Sequence, residues 1–213
     1  MSKHIKIKWL GHACFKVIYD DYAILFDPFQ PGSVPGLKPV DEAADLVICS
    51  HGHRDHGNTE AAKIRTPKAQ NPFKISAIKC FHDNAGGSLR GDNKITVADV
   101  DGIRIAHFGD LGCELTRKQL AEIGPLDVAM IPVGGYYTID AQGAKNLMEL
   151  IGPRVIIPMH YRDDEAGFGY DEISTLNEFT LLYPVGDVIF YDEDSIEIDK
   201  DTKKQVAILK YDK

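Results

Sequence analysis

The first half of the chain alternates apolar and polar positions with a period of two, which is the pattern of half-buried strands. We predict strands at Ile5–Leu10, Cys14–Tyr19, Ala23–Phe26 and Leu46–Cys49. The proline-rich stretch "DPFQPGSVPGLKPVDEAAD" before the fourth strand has the composition of a loop and is expected to form the rim of a site. A helix is predicted beyond the fourth strand, capped by Asn58 or Thr59 and beginning with "EAAKI".

Further along the chain, strands are predicted at "ISAIKCF" and in "KITVADVDGIRIAHF", the latter a hairpin that turns at Asp101 and Gly102. After "GDLG" the apolar period changes to about 3.6 residues, which is typical of helices. Helices are predicted at "TRKQLAEIG", capped by Thr116, at "DAQGAKNLMELIG", ended by Gly152, and at "YDEISTLNEF". Strands are predicted at "DVAMIPV", "RVIIPMHY", "VIFYD", "SIEID" and "QVAILKY".

The order of these elements indicates the fold class. Strands lead, and strands then alternate with helices, which favours an α/β fold: a four-layer sandwich of two mixed β-sheets with outer helices. No change of composition marks a linker, so residues 1–213 are predicted to form a single domain. With 213 residues, 44% of them hydrophobic, the chain can bury a full core.

Charge and cysteine content narrow the classes of partner. The formal net charge of -8 argues against a nucleic acid or an anionic membrane, because such partners require an excess of Lys and Arg. A small-molecule substrate fits better, and the oligomeric state, a homo-oligomer included, is left open. We find neither a secretion signal nor a spanning segment, and the four dispersed cysteines are interpreted as reduced thiols, so a cytoplasmic location is expected.

Three histidines and an aspartate are crowded into the stretch "SHGHRDHGN". His51 and His53 stand two residues apart after an apolar strand, so in extended geometry both imidazoles face one way and can bind one ion. Asp55 and His56 follow, and imidazole with carboxylate is a ligand set suited to zinc, manganese or iron. The alternative interpretation of this stretch is a polar surface loop that caps the next helix. Four metal-binding side chains within six residues disfavour that interpretation.

Further ligands are needed, since four residues cannot complete the coordination of two ions. His82 follows the strand in "IKCFHD", Asp110 lies in "RIAHFGDLG" and His160 lies in "RVIIPMHY", each after an apolar run. Open α/β sheets place their sites at the carboxyl ends of strands. Taken singly, His82 and His160 would more often be structural, and the neighbouring cluster is what makes them ligand candidates.

These motifs, in this order, resemble the metallo-β-lactamase-fold hydrolases, from "AILFDP" with Asp27, through residues 51–56 and "HFGDLG", to "IPMHY". The resemblance implies a site on one edge between two sheets with two divalent metal ions, zinc favoured and manganese or iron as alternatives. It assigns His51, His53 and His82 to one metal, Asp55, His56 and His160 to the other, and Asp110 as a bridge between both. Asp27 is implied to brace the histidine loop.

The companion motifs "WLGHACF", "HDNAGGSLRGDN" and "IPVGGYYTID" are similar to the branch that includes the ascorbate-6-phosphate lactonases. Asp110 stands where class B1 and B2 β-lactamases carry cysteine, which disfavours antibiotic hydrolysis. His53 stands where flavodiiron proteins carry glutamate, which disfavours redox chemistry. The implied activity is hydrolysis of a small ester, lactone or phosphoester by metal-activated water. The alternatives are a phosphodiesterase or nuclease of the same superfamily, and a non-catalytic sensor that binds a metabolite.

Several residues have predicted roles in proton transfer or packing. Asp55 and His160 are candidates for catalytic proton transfer, and Tyr161 beside His160 is a candidate aid to the leaving group. His12 and His107 could brace the metal ligands, but structural packing is the preferred interpretation of both.

Three residues are candidates for substrate binding: Arg90, Tyr136 and Tyr137. Arg90 offers a two-pronged donor to a phosphate or carboxylate group of the substrate. The alternative is that Arg90 pairs with nearby Asp92. The two tyrosines follow the strand "DVAMIPV" and are expected to line the pocket or to pack at its rim. An anionic or phosphorylated substrate is therefore one expectation from the sequence.

Overall fold

The computed structural model of the protein describes residues 4–64 and 70–212. Its strands are β1 Ile5–Trp9, β2 Phe15–Tyr19, β3 Tyr22–Phe26, β4 Glu42–Ala44, β5 Leu46–Ile48, β6 Ala62–Ile64, β7 Lys74–Phe81, β8 Asp92–Val100, β9 Ile103–His107, β10 Val128–Pro132, β11 Val155–Met159, β12 Val188–Phe190, β13 Ser195–Ile198 and β14 Gln205–Ile208. Its α-helices are α1 Arg117–Ile123, α2 Ala141–Ile151 and α3 Leu176–Thr180. Within the described ranges, no helix combines the length and the apolarity that a membrane crossing requires.

The strands form two large sheets and one small pair. The five-stranded sheet has the order β13-β1-β2-β3-β5, and the seven-stranded sheet has the order β12-β14-β11-β10-β9-β8-β7. Both are mixed, with parallel and antiparallel neighbours, and β4 pairs separately with β6. Helix α1 contacts β7 and helix α2 contacts β10, both in the seven-stranded sheet. The predicted α/β sandwich of two mixed sheets is confirmed.

The inner faces of the two large sheets share one hydrophobic core. Aromatic contacts cross this core: the His107 ring of β9 stacks on Phe26 of β3 with centroids 5.3 Å apart, and Phe73 lies against Tyr19 at 6.3 Å. Strands β3, β10 and β11 are buried along their whole length, because central strands of a layered sheet are covered on both faces. This explains why their sequences are continuously apolar.

Strand direction determines where the polar strand ends lie. In the five-stranded sheet, β1 and β3 are each antiparallel to β2, and β5 is parallel to β3, so β1, β3 and β5 run the same way. In the seven-stranded sheet, β7 and β9 are each antiparallel to β8, while β10 and β11 run parallel to β9. Each sheet therefore sends the carboxyl ends of several strands to one edge, as sites in α/β folds require.

Most predicted elements are confirmed. The hairpin turns at Asp101 and Gly102, whose φ angles of 52° and 75° are those of a tight two-residue turn. Helix α1 begins after Thr116, which forms a capping box with Gln119. Helix α2 ends at Gly152, which takes the left-handed conformation that glycine adopts without a Cβ clash. All four cysteines are free thiols, as expected.

The helix predicted after the histidine cluster is wrong over the described residues. Ala62–Ile64 forms strand β6, which pairs in parallel with β4, a strand inside the stretch predicted as a loop. Residues 65–69, where the predicted helix would continue, lie outside the described residues. A short apolar run has only a weak intrinsic preference, and pairing with a neighbouring strand overrides it. The helix predicted at "YDEISTLNEF" is real but shorter, because α3 begins only at Leu176.

Candidate metal centre

Six strands deliver polar side chains to one edge of the sandwich, each from residues that closely follow its carboxyl end. These are His12 after β1, Asp27 after β3, residues 51–56 after β5, His82 after β7, Asp110 after β9 and His160 after β11. Three of them, His12, Asp27 and His160, have positive φ angles of 51°, 43° and 55°. Positive φ in a non-glycine residue is uncommon and costs free energy, and it persists where the surrounding fold enforces it, often at functional sites.

One set of candidate ligands lies toward solvent and is called the outer group: His51, His53 and His82. One nitrogen of each lies within 4.8 Å of the others. His51 Nε2 is 3.1 Å from His53 Nδ1. Accessibility varies across the group, since His82 is buried, His51 is half-buried and His53 is exposed. The fold thus brings together the three histidines that the resemblance assigns to one metal.

A second set is more deeply buried and is called the inner group: His12, Asp55, His56 and His160. One donor atom of each lies within 4.8 Å of the others. The three histidines are at most 1% exposed. Asp55 Oδ2 lies 3.4 Å from His12 Nε2 and 3.7 Å from His56 Nε2. The inner group contains the three residues that the resemblance assigns to the second metal, together with His12.

Asp110 lies between the two groups. Its Oδ2 is 3.1 Å from His82 Nε2 and 3.9 Å from His51 Nε2 in the outer group. The same oxygen is 3.1 Å from His56 Nε2 and 3.3 Å from His160 Nε2 in the inner group. Its other oxygen, Oδ1, is buried and has no hydrogen-bond partner among the described residues. One carboxylate is therefore within reach of imidazoles from both sets.

Asp27 holds the histidine loop in place. Its Oδ1 accepts a hydrogen bond from Ser50 N at 2.6 Å, and its Oδ2 accepts from Ser50 Oγ at 2.5 Å and from His56 Nδ1 at 2.8 Å. Because Ser50 Oγ donates its proton to Asp27, it accepts from His51 Nδ1 at 2.9 Å. Both imidazoles therefore carry a proton on Nδ1, and in the neutral form their Nε2 is unprotonated. A carboxylate that orients imidazoles in this way is typical of metal sites.

The tautomers provide a test of whether this donor set fits a metal. His82 Nδ1 donates to the Tyr137 carbonyl at 3.1 Å, so His82, like His56, presents the lone pair of Nε2 to Asp110 when its imidazole is neutral. With neutral imidazoles, two hydrogen-bond acceptors would stand 3.1 Å apart at both contacts, and His56 Nε2 has no hydrogen-bond partner among the described residues. Acceptors in this arrangement repel unless a proton or a cation lies between them. Imidazole and carboxylate donors of this kind fit a divalent transition metal.

Electrostatics also favour positive charge in the centre. Burial opposes the ionisation of Asp110, but His160 and His56 outweigh it and hold the pKa of this carboxyl well below its usual value. Burial and the neighbouring His160 lower the pKa of His12 to about 4, so its imidazole is neutral at neutral pH. At His56 burial disfavours the charged form, yet Asp110 and Asp27 raise its pKa well above the usual value. A divalent cation can supply that charge and displace the proton.

Two residues of the centre were not predicted from the sequence. Tyr170 places its hydroxyl 2.8 Å from the Ser33 carbonyl and 3.2 Å from Asp55 Oδ2. Burial, followed by the nearby Asp55, raises the pKa of Tyr170, so the hydroxyl stays protonated. No motif marks Tyr170 in the sequence. His12, for which packing was preferred, follows the apolar strand β1 and could have been found by the strand-end rule that found His82.

Two neighbours of the centre have structural roles. The buried Tyr161 ring packs against Trp9 and Phe168, with centroids 5.5 Å and 6.1 Å away, and it does not line the cavity of about 280 Å³ that opens onto the centre. The prediction that Tyr161 assists a leaving group is therefore wrong, because the side chain is held in the aromatic cluster. His107 donates from Nε2 to the Ala13 carbonyl at 2.8 Å and stacks in the core, which agrees with the preferred packing role.

A cavity of about 280 Å³ opens onto the centre and is lined by His53, Asp55, His82, Arg90, Asp110, Tyr137, His160 and Tyr170. The Arg90 guanidinium carbon lies 5.5 Å from the ring centroid of Tyr137 and 6.0 Å from that of Tyr136. Tyr136 is 64% exposed. Within the described part of the chain, Arg90 forms no ion pair with Asp92. The structure therefore does not show the alternative role, in which Arg90 pairs with Asp92. The guanidinium is available to a ligand at the mouth of the cavity.

Comparison with known proteins also indicates a metal-binding hydrolase. The family model described as Beta-lactamase superfamily domain matches residues 6–160. A metal-dependent hydrolase of Carboxydothermus hydrogenoformans is 31% identical over 191 residues, covering 74% of this chain and 84% of the relative. One of Archaeoglobus fulgidus is 31% identical over 193 residues, covering 74% and 83%. The crystal structure of a metallo-β-lactamase-superfamily protein from Thermotoga maritima is 30% identical with a TM-score of 0.78, covering 98% of this chain and all of that one.

The chain therefore belongs to the β-lactamase superfamily, among the metal-dependent hydrolases with the metallo-β-lactamase fold. The resemblance found in the sequence is confirmed at this level, and the hydrolase class is favoured over the sensor alternative. The narrower likeness to the ascorbate-6-phosphate lactonases stays a prediction.

Proposed function

We propose that this protein hydrolyses a small ester, lactone or phosphoester with two divalent metal ions. The observation that carries the proposal is the position of Asp110, whose Oδ2 lies 3.1–3.9 Å from imidazole nitrogens of both the outer and the inner group. A carboxylate shared by two sets of donors is suited to holding a pair of cations close together, as two-metal hydrolases do. Zinc is the proposed metal, with manganese or iron as alternatives, because imidazole and carboxylate bind all three.

The ligand roles follow from the two groups. The outer group would hold one ion and Asp55, His56 and His160 the other, with Asp110 bridging them. His12 is given a positioning role, because its Nε2 lies against Asp55 Oδ2 at 3.4 Å. Asp27 orients His56 directly, and it acts on the outer group through Ser50.

The chain's own groups would manage the proton. When bound, the cations polarise the scissile carbonyl or phosphoryl group and lower the pKa of water toward neutrality. Burial opposes the ionisation of Asp55, but the neighbouring His12 and His56 outweigh it and keep the pKa of the carboxyl low, so Asp55 is ionised at neutral pH and has an unprotonated oxygen to offer. Tyr170 stays protonated, and its one hydroxyl proton is shared between the Ser33 carbonyl at 2.8 Å and Asp55 Oδ2 at 3.2 Å. We therefore assign proton transfer to Asp55 and orientation of Asp55 to Tyr170, while His160 keeps the ligand role.

A small substrate is supported by the size of the cavity. A volume of about 280 Å³ admits a compact reacting group between Tyr137 and Tyr170. The net charge of -8 favours a small metabolite over a nucleic acid, so a phosphodiesterase or nuclease is the second candidate. A cytoplasmic location fits a metabolic hydrolase of this kind and stays part of the proposal.

The test combines metal analysis with a substrate panel. We expect purified protein to hold about two transition-metal ions per chain, and a strong chelator to abolish hydrolysis that added zinc or manganese restores. The panel offers a lactone, a carboxylic ester, a phosphomonoester, a phosphodiester and a thioester. Cleavage of the phosphodiester alone would replace the proposed substrate class with the second candidate. Full activity of metal-free protein would refute the metal mechanism, and saturation at one ion per chain would refute the two-metal arrangement.

A further inference from the structure

A second cavity, of about 400 Å³, lies beside the cavity that opens onto the metal centre, and three cationic side chains line it. It is lined by Ser50, His51, Gly52, His53, Lys79, Arg90, Gly91, Asp92, Asn93 and Lys94. His53 and Arg90 line both cavities, so a molecule that reacts at the centre can extend into the second one.

Lys79 and Lys94 lie on the inner face of the seven-stranded sheet. They are direct partners in the antiparallel pairing of β7 with β8. Lys94 shares its face with Thr96, two residues further along, and Thr96 is the partner of His107. The His107 ring stacks on Phe26 of the five-stranded sheet, so this face is turned toward the other sheet. Both lysines are exposed, as are the other residues of β7 on this face, because β7 is the edge strand of its sheet.

The placement of these two lysines is unfavourable for folding alone. Like charges directly opposite on paired strands repel each other, and these two stand at the edge of the seven-stranded sheet. Among the described residues neither lysine forms an ion pair, and Asp92 is the single carboxylate that lines the cavity with them. With Arg90 the lining carries three cationic side chains against that one carboxylate, in a chain whose formal net charge is -8. A local excess of positive charge of this kind fits an anionic ligand.

We propose that this cavity, called the lysine subsite and defined by Lys79, Lys94 and Arg90, binds a phosphate monoester group carried by the substrate. The proposal rests on the hydrolase function above and narrows its substrate class to phosphorylated esters or lactones. A phosphate dianion can accept hydrogen bonds from both lysines and cancel the repulsion between them. Arg90 stands where the two cavities meet, so it contacts the phosphate while the scissile group lies at the metal centre.

Binding of inorganic phosphate to the metal-loaded enzyme is the direct test. Isothermal titration calorimetry would compare wild type with Lys79→Gln, Lys94→Gln and the double variant. Each single change should weaken phosphate binding about tenfold, as expected for losing one charge-assisted hydrogen bond. The matched control is Lys74→Gln, an exposed lysine of the same strand β7 outside both cavities, which should leave binding unchanged. Equal affinity in wild type and the double variant would place phosphate on the metals alone and overturn the proposal, as would an equal loss in the control.

Thermal unfolding without phosphate gives a readout that a merely structural role would not produce. Because the opposed lysines repel, each single variant should melt higher than wild type, by about 1–3 °C. Lower melting temperatures for both single variants would mean that the lysines support the fold, and the proposal would fail.

Kinetics link the lysine subsite to the reaction. For a phosphorylated lactone and its unphosphorylated counterpart, the double variant should raise KM for the first and leave the second unchanged. A KM that rises equally for both would count against the proposal. If wild type hydrolyses neither compound, the proposed function fails on its own, and the phosphate titration still decides whether the lysine subsite exists.

Discussion

The outer and inner groups of the metal centre differ in how firmly the fold holds them. In the inner group His12, His56 and His160 are fully buried, and Asp27 and Tyr170 hold two of its members by hydrogen bonds. The outer group ends in the exposed His53, whose one polar contact within residues 4–64 and 70–212 is with His51. A ligand set that is locked by packing and hydrogen bonds loses little freedom on binding a metal. We therefore expect the inner metal to bind more tightly and the outer metal to be lost first and to face the substrate.

The largest effect is expected from a substitution of Asp110, because this residue lies within reach of both groups and its loss should weaken both metals. Asp110→Ala should lower occupancy of both metals and reduce kcat/KM by more than about 100-fold, the upper range for residues one layer behind the ligands. Metal content by mass spectrometry and steady-state kinetics measure this. The control is Asp192→Ala, an exposed carboxylate far from the centre in sequence, which should keep both metals. Unchanged metal content in Asp110→Ala would show that Asp110 is not a ligand.

Two substitutions behind the ligands are expected to have smaller effects, each mainly on the affinity for one of the two metals. Asp27→Asn removes the negative charge and one of the two oxygens that accept from Ser50 and His56, and it should weaken binding of the inner metal about 10–100-fold. Ser50→Ala removes the acceptor of His51 and one donor to Asp27 but leaves the Asp27–His56 hydrogen bond in place, so it should weaken the outer metal by a few-fold. Stepwise titration with cobalt, followed by its visible absorption, distinguishes the two ions. The proposed difference between the two groups is contradicted if Ser50→Ala lowers the affinity for the inner ion more than that for the outer ion.

The smallest expected effect concerns Asp55 within the inner group. Tyr170→Phe removes the hydroxyl beside Asp55 and should lower kcat about tenfold while both metals stay bound, because the carboxylate is left less well oriented. The free energy of unfolding should fall by about 1 kcal/mol for the lost hydrogen bond. Tyr161→Phe is the matched control, since that ring is packed against Trp9, and its turnover should equal that of wild type. Equal kcat for Tyr170→Phe and wild type would remove Tyr170 from the mechanism.

The fold was largely predictable because its strongest signals are local. Apolar alternation located the long strands, and Asp101-Gly102, Thr116 and Gly152 marked a turn and two helix ends through their own backbone and side-chain preferences. The errors fall where local preference is weak. Ala62–Ile64 became a strand because β4 was there to pair with it, and no short window of sequence contains that partner.

The candidate centre was predictable in part for a similar reason. Residues 51–56 are crowded in sequence, and His82, Asp110 and His160 each follow an apolar strand. Tyr170 has neither signal, since it reaches Asp55 across a long separation in sequence. The lysine subsite was also missed, because Lys79 and Lys94 are ordinary alternating polar positions until the register of β7 with β8 is known.

The sequence by itself determined the chemistry that this protein has at its disposal: the imidazole and carboxylate donors, the strand ends that carry them and the acidic charge that disfavours nucleic acid. These are properties of side chains and of short segments, and they do not depend on the rest of the chain. The tertiary structure alone decided which donors stand together, which imidazole nitrogens face Asp110 and that two lysines oppose each other beside His51 and His53. The physical reason is that strand direction and register bring distant residues into contact, and one shift of register would turn every side chain to the other face of the sheet.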